Sequence, residues 1–177
     1  MYKLDKIKKY IREQLSDFRY EHSLMVAEEA KNLAKHYGVD EEKAYVAGLI
    51  HDMAKDLSEE KNNEYRLKYN IDSSFDGKIL HGEIGYYMAK EQGFDDEICN
   101  AVRYHTLGHV DMDIYSKIVL LADKYARNIL NEAMLEEKRL AYTDLDAAIK
   151  FYLLSLKNKL GDKMHPWSME LLGELEK

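Results

Sequence analysis

A histidine and an aspartate are adjacent at His51 and Asp52, and Lys55 follows about one helical turn later. Successive helical residues point about 100° apart, so the first two side chains can bind one ion between them. Lys55 would then project its ammonium on the same face. The preceding residues 45–50 are apolar enough to be buried, and burying these polar groups without partners is costly. The triplet therefore suggests a metal ion that acts on a phosphate.

Further candidate ligands are spread along the chain. Three other histidines occur, like the first, at helix ends or in mostly apolar segments; they are His22, His81 and His105. Asp123 follows the apolar run 119–122. One buried histidine is more often a hydrogen-bonded core residue, but the whole set supplies nitrogen and oxygen ligands. Such a set suits Fe, Mn, Co, Ni or Zn.

Each candidate also has a structural interpretation. Arg19, three residues before His22, can clamp a phosphate with its guanidinium, but alone it reads as a surface residue. Lys55 can equally be a surface lysine paired with Asp56 or Glu59. Asp123 can pair with Lys124 or Arg127, although its apolar surroundings disfavour a solvated charge. The functional interpretation depends on all of these groups meeting at one point.

The composition limits the class of protein. The 177 residues are 46% apolar and 33% charged, with one proline and nine glycines, which favours a soluble domain of long helices. The net charge of −7 disfavours nucleic-acid binding. The lone Cys99 suits a reducing compartment, and we find neither a signal peptide nor a membrane span, so we predict a cytoplasmic protein. A homodimer is compatible with these features.

Apolar periodicity and capping residues predict helices throughout. The predicted helices cover about 1–15, 17–37, 40 onwards with the His-Asp pair, 58–69, 81–93, 95–108, 113–130, 143–161 and a short last helix after Pro166. Thr143 with Asp146 resembles a capping box, whereas 132–142 is helix or loop. The sequence predicts one all-α domain over 1–177, with a core of about 15–130 and C-terminal helices of 143–177 packing on it.

Several stretches together resemble the HD phosphohydrolase superfamily, and within it the YqeK-type symmetrical diadenosine tetraphosphate hydrolases. The stretches, in family order, are Arg-Tyr-Glu-His at 19–22, Ala-Gly-Leu-Ile-His-Asp-Met-Ala-Lys at 47–55, Leu-His-Gly-Glu at 80–83, Ala-Val-Arg-Tyr-His-Thr-Leu-Gly at 101–108 and Leu-Ala-Asp-Lys at 121–124. The resemblance implies an all-helical, metal-dependent enzyme that cleaves diadenosine tetraphosphate to two ADP.

The resemblance also implies roles for individual residues. The metal ligands would be His22, His51, Asp52 and Asp123, and Fe is the ion that we expect. Asp52 and Lys55 would be catalytic. Lys55 and Arg19 would neutralise phosphate oxygens, and His22 and Asp123 would also contact the substrate. His81, His105 and Thr106 would contact the phosphate chain. The two histidines would alternatively hold a second metal, bridged through Asp52.

One stretch departs from the family pattern. Where the family usually continues into Glu-Pro-Asn-Arg, this chain has Tyr125-Ala-Arg-Asn-Ile, in which only the asparagine matches. Arg127 or Arg139 would have to supply the missing cation. Two rival functions therefore stay open: another HD nucleotide phosphohydrolase, of the nucleotidase or dNTPase type, and a non-catalytic nucleotide binder that retains the metal.

Overall fold

The computed structural model describes residues 2–177, and every regular element in that range is helical. The helices are α1 (Leu4–Gln14), α2 (Asp17–Tyr37), α3 (Glu41–Ile50), α4 (Glu59–Tyr69), α5 (Leu80–Glu91), α6 (Asp96–Tyr104), α7 (Ile114–Tyr125), α8 (Glu132–Ala141), α9 (Leu145–Leu160) and α10 (Pro166–Leu175). Short 3-10 turns precede α5, at Gly77–Ile79, and follow α9, at Gly161–Lys163. The predicted all-α fold is confirmed.

Helices α2 and α3 form the centre of the core. Every residue of α3 from 44 to 50 is buried. Gly48 permits close packing of the two helices, because a Cβ at that position would lie 2.9 Å from the Cα of Ala27 on α2. At the far end of α2, Gly38 adopts a left-handed φ of 68° and ends the helix as the sequence predicts. This close packing brings the amino-terminal half of α2 near the carboxyl end of α3.

The remaining helices surround this pair. Helix α7 packs against α2, α3 and α6, and α5 packs against α6. Helix α9 packs on α7, α8 and α10. The Ser168 hydroxyl of α10 donates a hydrogen bond of 2.6 Å to the Leu107 carbonyl, just beyond α6. The C-terminal helices therefore pack against α7 and against the segment that follows α6.

Several predicted boundaries were wrong. Helix α3 ends at Ile50, and His51 and Asp52 lie in the turns that follow, where the Lys55 N–H bonds to the Asp52 carbonyl at 2.8 Å in a three-residue turn. Helix α7 ends at Tyr125 rather than at residue 130, because Ala126 leaves the helical region with ψ of 65°.

Two other terminal details also differ from the expectation. The cap of α9 is Asp144, whose side chain accepts the Ala147 N–H, and not Thr143, whose hydroxyl bonds back to the Arg139 carbonyl. Residues 132–141, which the sequence left open, are helical. Among residues 2–177 no helix is both long and apolar enough to cross a membrane.

A buried carboxyl on α8 gives a stability prediction. Glu137 is 7% exposed and accepts a hydrogen bond from the Tyr125 hydroxyl at 3.2 Å. Burial raises the pKa of Glu137 above its ordinary 4.5, an effect that its hydrogen bond with Tyr125 only partly opposes. A raised carboxyl pKa means that the folded state holds the proton more tightly than the unfolded chain. Ionisation of Glu137 therefore lowers the free energy of unfolding as the pH rises from below 4.5 through the pKa of the folded state.

We expect Glu137→Gln to raise the free energy of unfolding at pH 7, because the amide keeps an acceptor for Tyr125 without a buried charge. The gain should shrink towards zero below about pH 4.5. Urea unfolding between pH 4 and 7 measures it. The exposed neighbour Glu136 serves as the control, and Glu136→Gln should leave stability nearly unchanged. A Glu137→Gln protein that is less stable than the wild type at pH 7 would contradict this prediction.

Candidate metal centre

The candidate residues converge from separate elements of the core. They are His22 on α2, His51 and Asp52 after α3, His81 in the first turn of α5, His105 directly after α6, and Asp123 in the last turn of α7. All six lie in or beside the buried core, and His51 is fully buried. Sequence reasoning identified each of them from type and position, and the fold brings them together.

The four residues expected to bind one ion are neighbours. The Nε2 atom of His22 lies 3.0 Å from Asp123 Oδ1, and His51 Nε2 lies 3.6 Å from the same oxygen. His51 Nε2 is also 3.6 Å from Asp52 Oδ2. The ligand atoms of His22, His51 and Asp52 all lie within 4.8 Å of one another. A cation at this point would have imidazole and carboxylate donors on several sides.

His51 provides the test of whether the site suits a cation. Its Nδ1 lies 2.7 Å from the Gly48 carbonyl, so Nδ1 carries the proton and Nε2 presents its lone pair. That Nε2 is buried without a hydrogen-bond partner among residues 2–177. Burial acts to lower the pKa of His51, but Asp52 and Asp123 outweigh it and raise the pKa. The same two carboxylates would favour a metal ion at Nε2, so the residues fit a divalent cation.

A second group of polar atoms shares Asp52. His81 Nε2 lies 3.1 Å from Asp52 Oδ1, and His105 Nε2 lies 3.4 Å from it. The two Nε2 atoms are 3.0 Å apart, and the Thr106 hydroxyl is 3.1 Å from His105 and 3.3 Å from His81. His105 repeats the orientation of His51, with Nδ1 2.7 Å from the carbonyl of Val102, three residues earlier. The ligand atoms of Asp52, His81 and His105 likewise lie within 4.8 Å of one another.

Burial dominates the protonation of this second group. It lowers the pKa of His81 to about 4 and also lowers the pKa of His105, although Asp52 acts in the opposite direction on both. For Asp52 itself, burial acts to raise the pKa, but His51 and the hydrogen bonds from His105 and His81 hold it well below its usual range. At neutral pH the aspartate is therefore ionised and His81 is neutral.

Lys55 and Arg19 lie beside the cluster, as the sequence predicts. The Lys55 ammonium lies 3.8 Å from Asp52 Oδ1 and 3.1 Å from His81 Nε2. Burial lowers the pKa of Lys55, with Asp52 opposing this effect. Arg19 lies 3.8 Å from Asp52 through Nη1, and its Nε donates to Asp56 Oδ1 at 2.7 Å. Asp56 thus pairs with Arg19, and Lys55, with 26% of its side chain exposed, lies near Asp52 instead.

Asp123 satisfies both interpretations that the sequence left open. One oxygen faces His22 and His51, and the other lies 3.0 Å from the Lys124 ammonium. Burial acts to raise the pKa of Asp123, but Lys124 and the two histidines outweigh it, so the pKa lies well below its usual value. Sequence reasoning had treated Lys124 only as a structural partner. Its position directly after a ligand, at the end of an apolar run, was the available signal.

The altered stretch after α7 does not place an arginine in the cluster. Arg127 is exposed, and Arg139 pairs with Glu136 at 3.1 Å on the surface of α8 with 76% of its side chain exposed. The cation near the end of α7 that contacts a cluster residue is Lys124, which pairs with Asp123. The expectation that Arg127 or Arg139 supplies the missing family cation therefore receives no support from this structure.

A partly buried ion pair, which sequence reasoning missed, links α5, which carries His81, to α6, which directly precedes His105. Glu83 is 4% exposed, and both of its oxygens accept from Arg103, at 2.6 Å from Nε and 3.0 Å from Nη2. Each partner stands two residues from one of the histidines, a symmetric spacing that was visible in the sequence. A bidentate pair of this kind fixes orientation as well as distance.

Comparison with known proteins agrees with this geometry. The HD domain family model matches residues 19–128, a range that contains every residue of the cluster. The chain is 35% identical over 161 residues to a Halalkalibacterium halodurans protein described as bis(5'-nucleosyl)-tetraphosphatase, symmetrical, which covers 88% of this chain and 86% of the relative. A Bacillus subtilis protein with the same description is 31% identical over 155 residues, or 85% and 82% of the two chains.

The fold also matches a solved structure. A Clostridium acetobutylicum protein described as a predicted HD superfamily hydrolase involved in NAD metabolism superposes with a TM-score of 0.86 at 30% identity. The match covers 99% of this chain and 98% of the other. The helical arrangement described above is therefore shared over nearly the whole length of both proteins.

Proposed function

Because this chain belongs to the HD domain family, we propose that its cluster catalyses the symmetrical hydrolysis of diadenosine tetraphosphate to two ADP. The observation that carries the proposal is the convergence of His22, His51 and Asp52 within 4.8 Å, in a chain similar over 88% of its length to a symmetrical tetraphosphatase. The substrate would be a dinucleoside polyphosphate.

We propose His22, His51, Asp52 and Asp123 as the residues that hold the metal. When bound, a divalent transition-metal ion would supply Lewis-acid polarisation of the phosphate and activation of water. The mixed nitrogen and oxygen donors suit Fe, with Mn, Co, Ni and Zn as alternatives. The carbonyl of Gly48 fixes the His51 tautomer, which keeps its Nε2 lone pair directed at the cluster.

The remaining polar groups are placed to bind the phosphate chain. Lys55 lies 3.8 Å from Asp52 Oδ1, and Arg19 lies 3.8 Å from Asp52 Oδ2. They would neutralise the non-bridging oxygens, and the negative charge that accumulates during attack on phosphorus is stabilised by fixed cations of this kind. His81, His105 and Thr106 would contact the phosphate chain. Asp56 holds the Arg19 guanidinium in place through the 2.7 Å hydrogen bond to its Nε.

Two roles for His81 and His105 predict different metal counts. If they contact phosphate, the wild type binds one metal per chain and each alanine variant keeps it while losing rate or affinity. If they hold a second ion, the wild type binds two and each variant binds one. The Lys55 ammonium, 3.1 Å from His81 Nε2, supports phosphate contact because a metal there would face a neighbouring cation. We therefore expect one metal per chain in all three proteins, measured by elemental analysis of desalted samples.

The cellular setting is also a proposal. Cys99 is a buried free thiol, which suits a reducing compartment such as the cytoplasm. The homodimer stays a prediction.

Product analysis tests the proposed function. Metal-loaded protein incubated with diadenosine tetraphosphate should yield ADP alone, two per substrate. Products of ATP and AMP would mean cleavage at another bond and would overturn the symmetrical assignment. Phosphate release from nucleoside mono- or triphosphates, with diadenosine tetraphosphate left intact, would favour the rival HD activities. Binding of ADP with no turnover of any nucleotide would favour the non-catalytic binder.

A further inference from the structure

A cleft opens directly beside the cluster, between α4 and the turn that precedes α5. It has a volume of about 270 Å³ and shares two walls with the site, the side chains of Lys55 and His81. From there it extends to two residues that no part of the proposed mechanism uses, Asn62 on α4 and Lys78 in the 3-10 turn Gly77–Ile79. The cleft therefore leads away from the reacting centre towards a second cation.

The chemistry of the lining favours an anion. The residues are Ala54, Lys55, Asn62, Gly77, Lys78, Leu80 and His81, which include two lysines and no aspartate or glutamate. This is notable in a chain that carries 33 acidic residues and a net charge of −7. Lys78 is exposed, and its ammonium has no ion-pair partner among residues 2–177. Asn62 adds amide N–H donors, which phosphate oxygens can accept.

The size and lining also indicate which part of a nucleotide fits. Sites for whole small molecules typically enclose about 300–1,000 Å³ and are lined mainly by apolar and aromatic side chains. This cleft is smaller, and its lining contains no tyrosine, phenylalanine or tryptophan on which a base could stack. It therefore suits phosphate groups better than a nucleoside.

Symmetrical cleavage requires such a place. The bond that breaks lies in the middle of a four-phosphate chain, so two phosphates extend on each side of it. The cluster with Lys55 and Arg19 accounts for the phosphates of one half. Resting on the function proposed above, we infer that the cleft binds the diphosphate of the other half, with Lys78 and Asn62 as its contacts and Lys55 between the two subsites.

The test compares Lys78→Met with a matched control, Lys35→Met. Lys35 is an exposed lysine on α2, about 20 Å along the helix from His22, given a rise of about 1.5 Å per residue. We expect Lys78→Met to raise KM for diadenosine tetraphosphate about fivefold with little change in kcat, and Lys35→Met to change neither. The ratio of the KM of Lys78→Met to the KM of Lys35→Met should fall as the salt concentration is raised, because salt screens an exposed charge. Lys78→Arg should restore most of the affinity.

A second substrate separates phosphate contact from nucleoside contact. Adenosine tetraphosphate has the four phosphates but lacks the second adenosine. An equal rise in KM for both substrates supports the inference, whereas a rise confined to diadenosine tetraphosphate would place Lys78 against the nucleoside and overturn it. A Lys78→Met enzyme that matches the control at low salt would also overturn it. Failure of the wild type to cleave diadenosine tetraphosphate would instead reject the function itself.

Discussion

Replacing Asp52 with alanine is expected to remove the bound metal and to lower hydrolysis by about 1,000-fold or more, while the helical circular dichroism is retained. Asp52 is the residue that both ligand groups share. Loss of the metal would remove several kcal/mol of transition-state stabilisation, which corresponds to that factor in rate. The fold should survive because Asp52 lies in the turns after α3 and outside every helix.

The control for this variant is Asp56→Ala. Asp56 is a carboxylate four residues later that contacts the Arg19 guanidinium and the Ser16 N–H but no histidine. The Asp56→Ala variant should keep its full metal content. The isosteric Asp52→Asn variant guards against a packing defect and should lose metal in the same way. Full metal occupancy in either Asp52 variant, measured by elemental analysis, would remove Asp52 from the ligand set.

Replacing Lys55 with methionine is expected to lower turnover by about 100- to 1,000-fold while the metal content stays the same. A protonated ammonium has no lone pair to give, so Lys55 cannot be a ligand in its charged form. Its ammonium lies 3.8 Å from Asp52 Oδ1, where it can stabilise negative charge that grows on a phosphate held at the cluster. Fixed groups of this kind typically contribute about that factor in rate. Because the effect belongs to the transition state, binding of ADP should change less than kcat.

Lys61→Met is the matched control for Lys55. Lys61 lies on α4 with 56% of its side chain exposed and pairs with Glu64. Both variants should melt close to the wild type, because a partly exposed ion pair contributes at most about 1 kcal/mol. Measured kcat, KM and metal content distinguish the roles. A Lys55→Met enzyme within a few-fold of wild-type turnover would show that this lysine takes no part in the reaction.

The sequence predicted the fold and the members of the cluster because both depend on local patterns. Apolar periodicity and caps such as Ser58, Asp95 and Asp113 determine where helices begin, and these residues are the N-caps of α4, α6 and α7. The ligand types could be recognised because His51 and Asp52 follow a run of buried residues. Chemical type and burial are properties that a single segment carries.

The details that the sequence could not give depend on contacts between distant segments. The run 45–55 contains no residue that breaks a helix after Gly48, so the turns at His51 were not visible in it. The partner of Arg19 is Asp56, 37 residues away, and nothing local distinguishes it from a partner for Lys55. The ion pair of Glu83 with Arg103 was likewise missed because its two halves belong to different helices.

Metal removal tests the central claim most directly, that this cluster hydrolyses diadenosine tetraphosphate with the help of a bound ion. The wild type is stripped with a chelator, its metal content is measured, and ADP formation is followed as metal is added back. We predict that the stripped protein is inactive and that the rate rises in proportion to metal per chain until about one ion is bound. Asp52→Asn, treated in the same way, should stay inactive. Undiminished formation of ADP by the metal-free wild type would contradict the account.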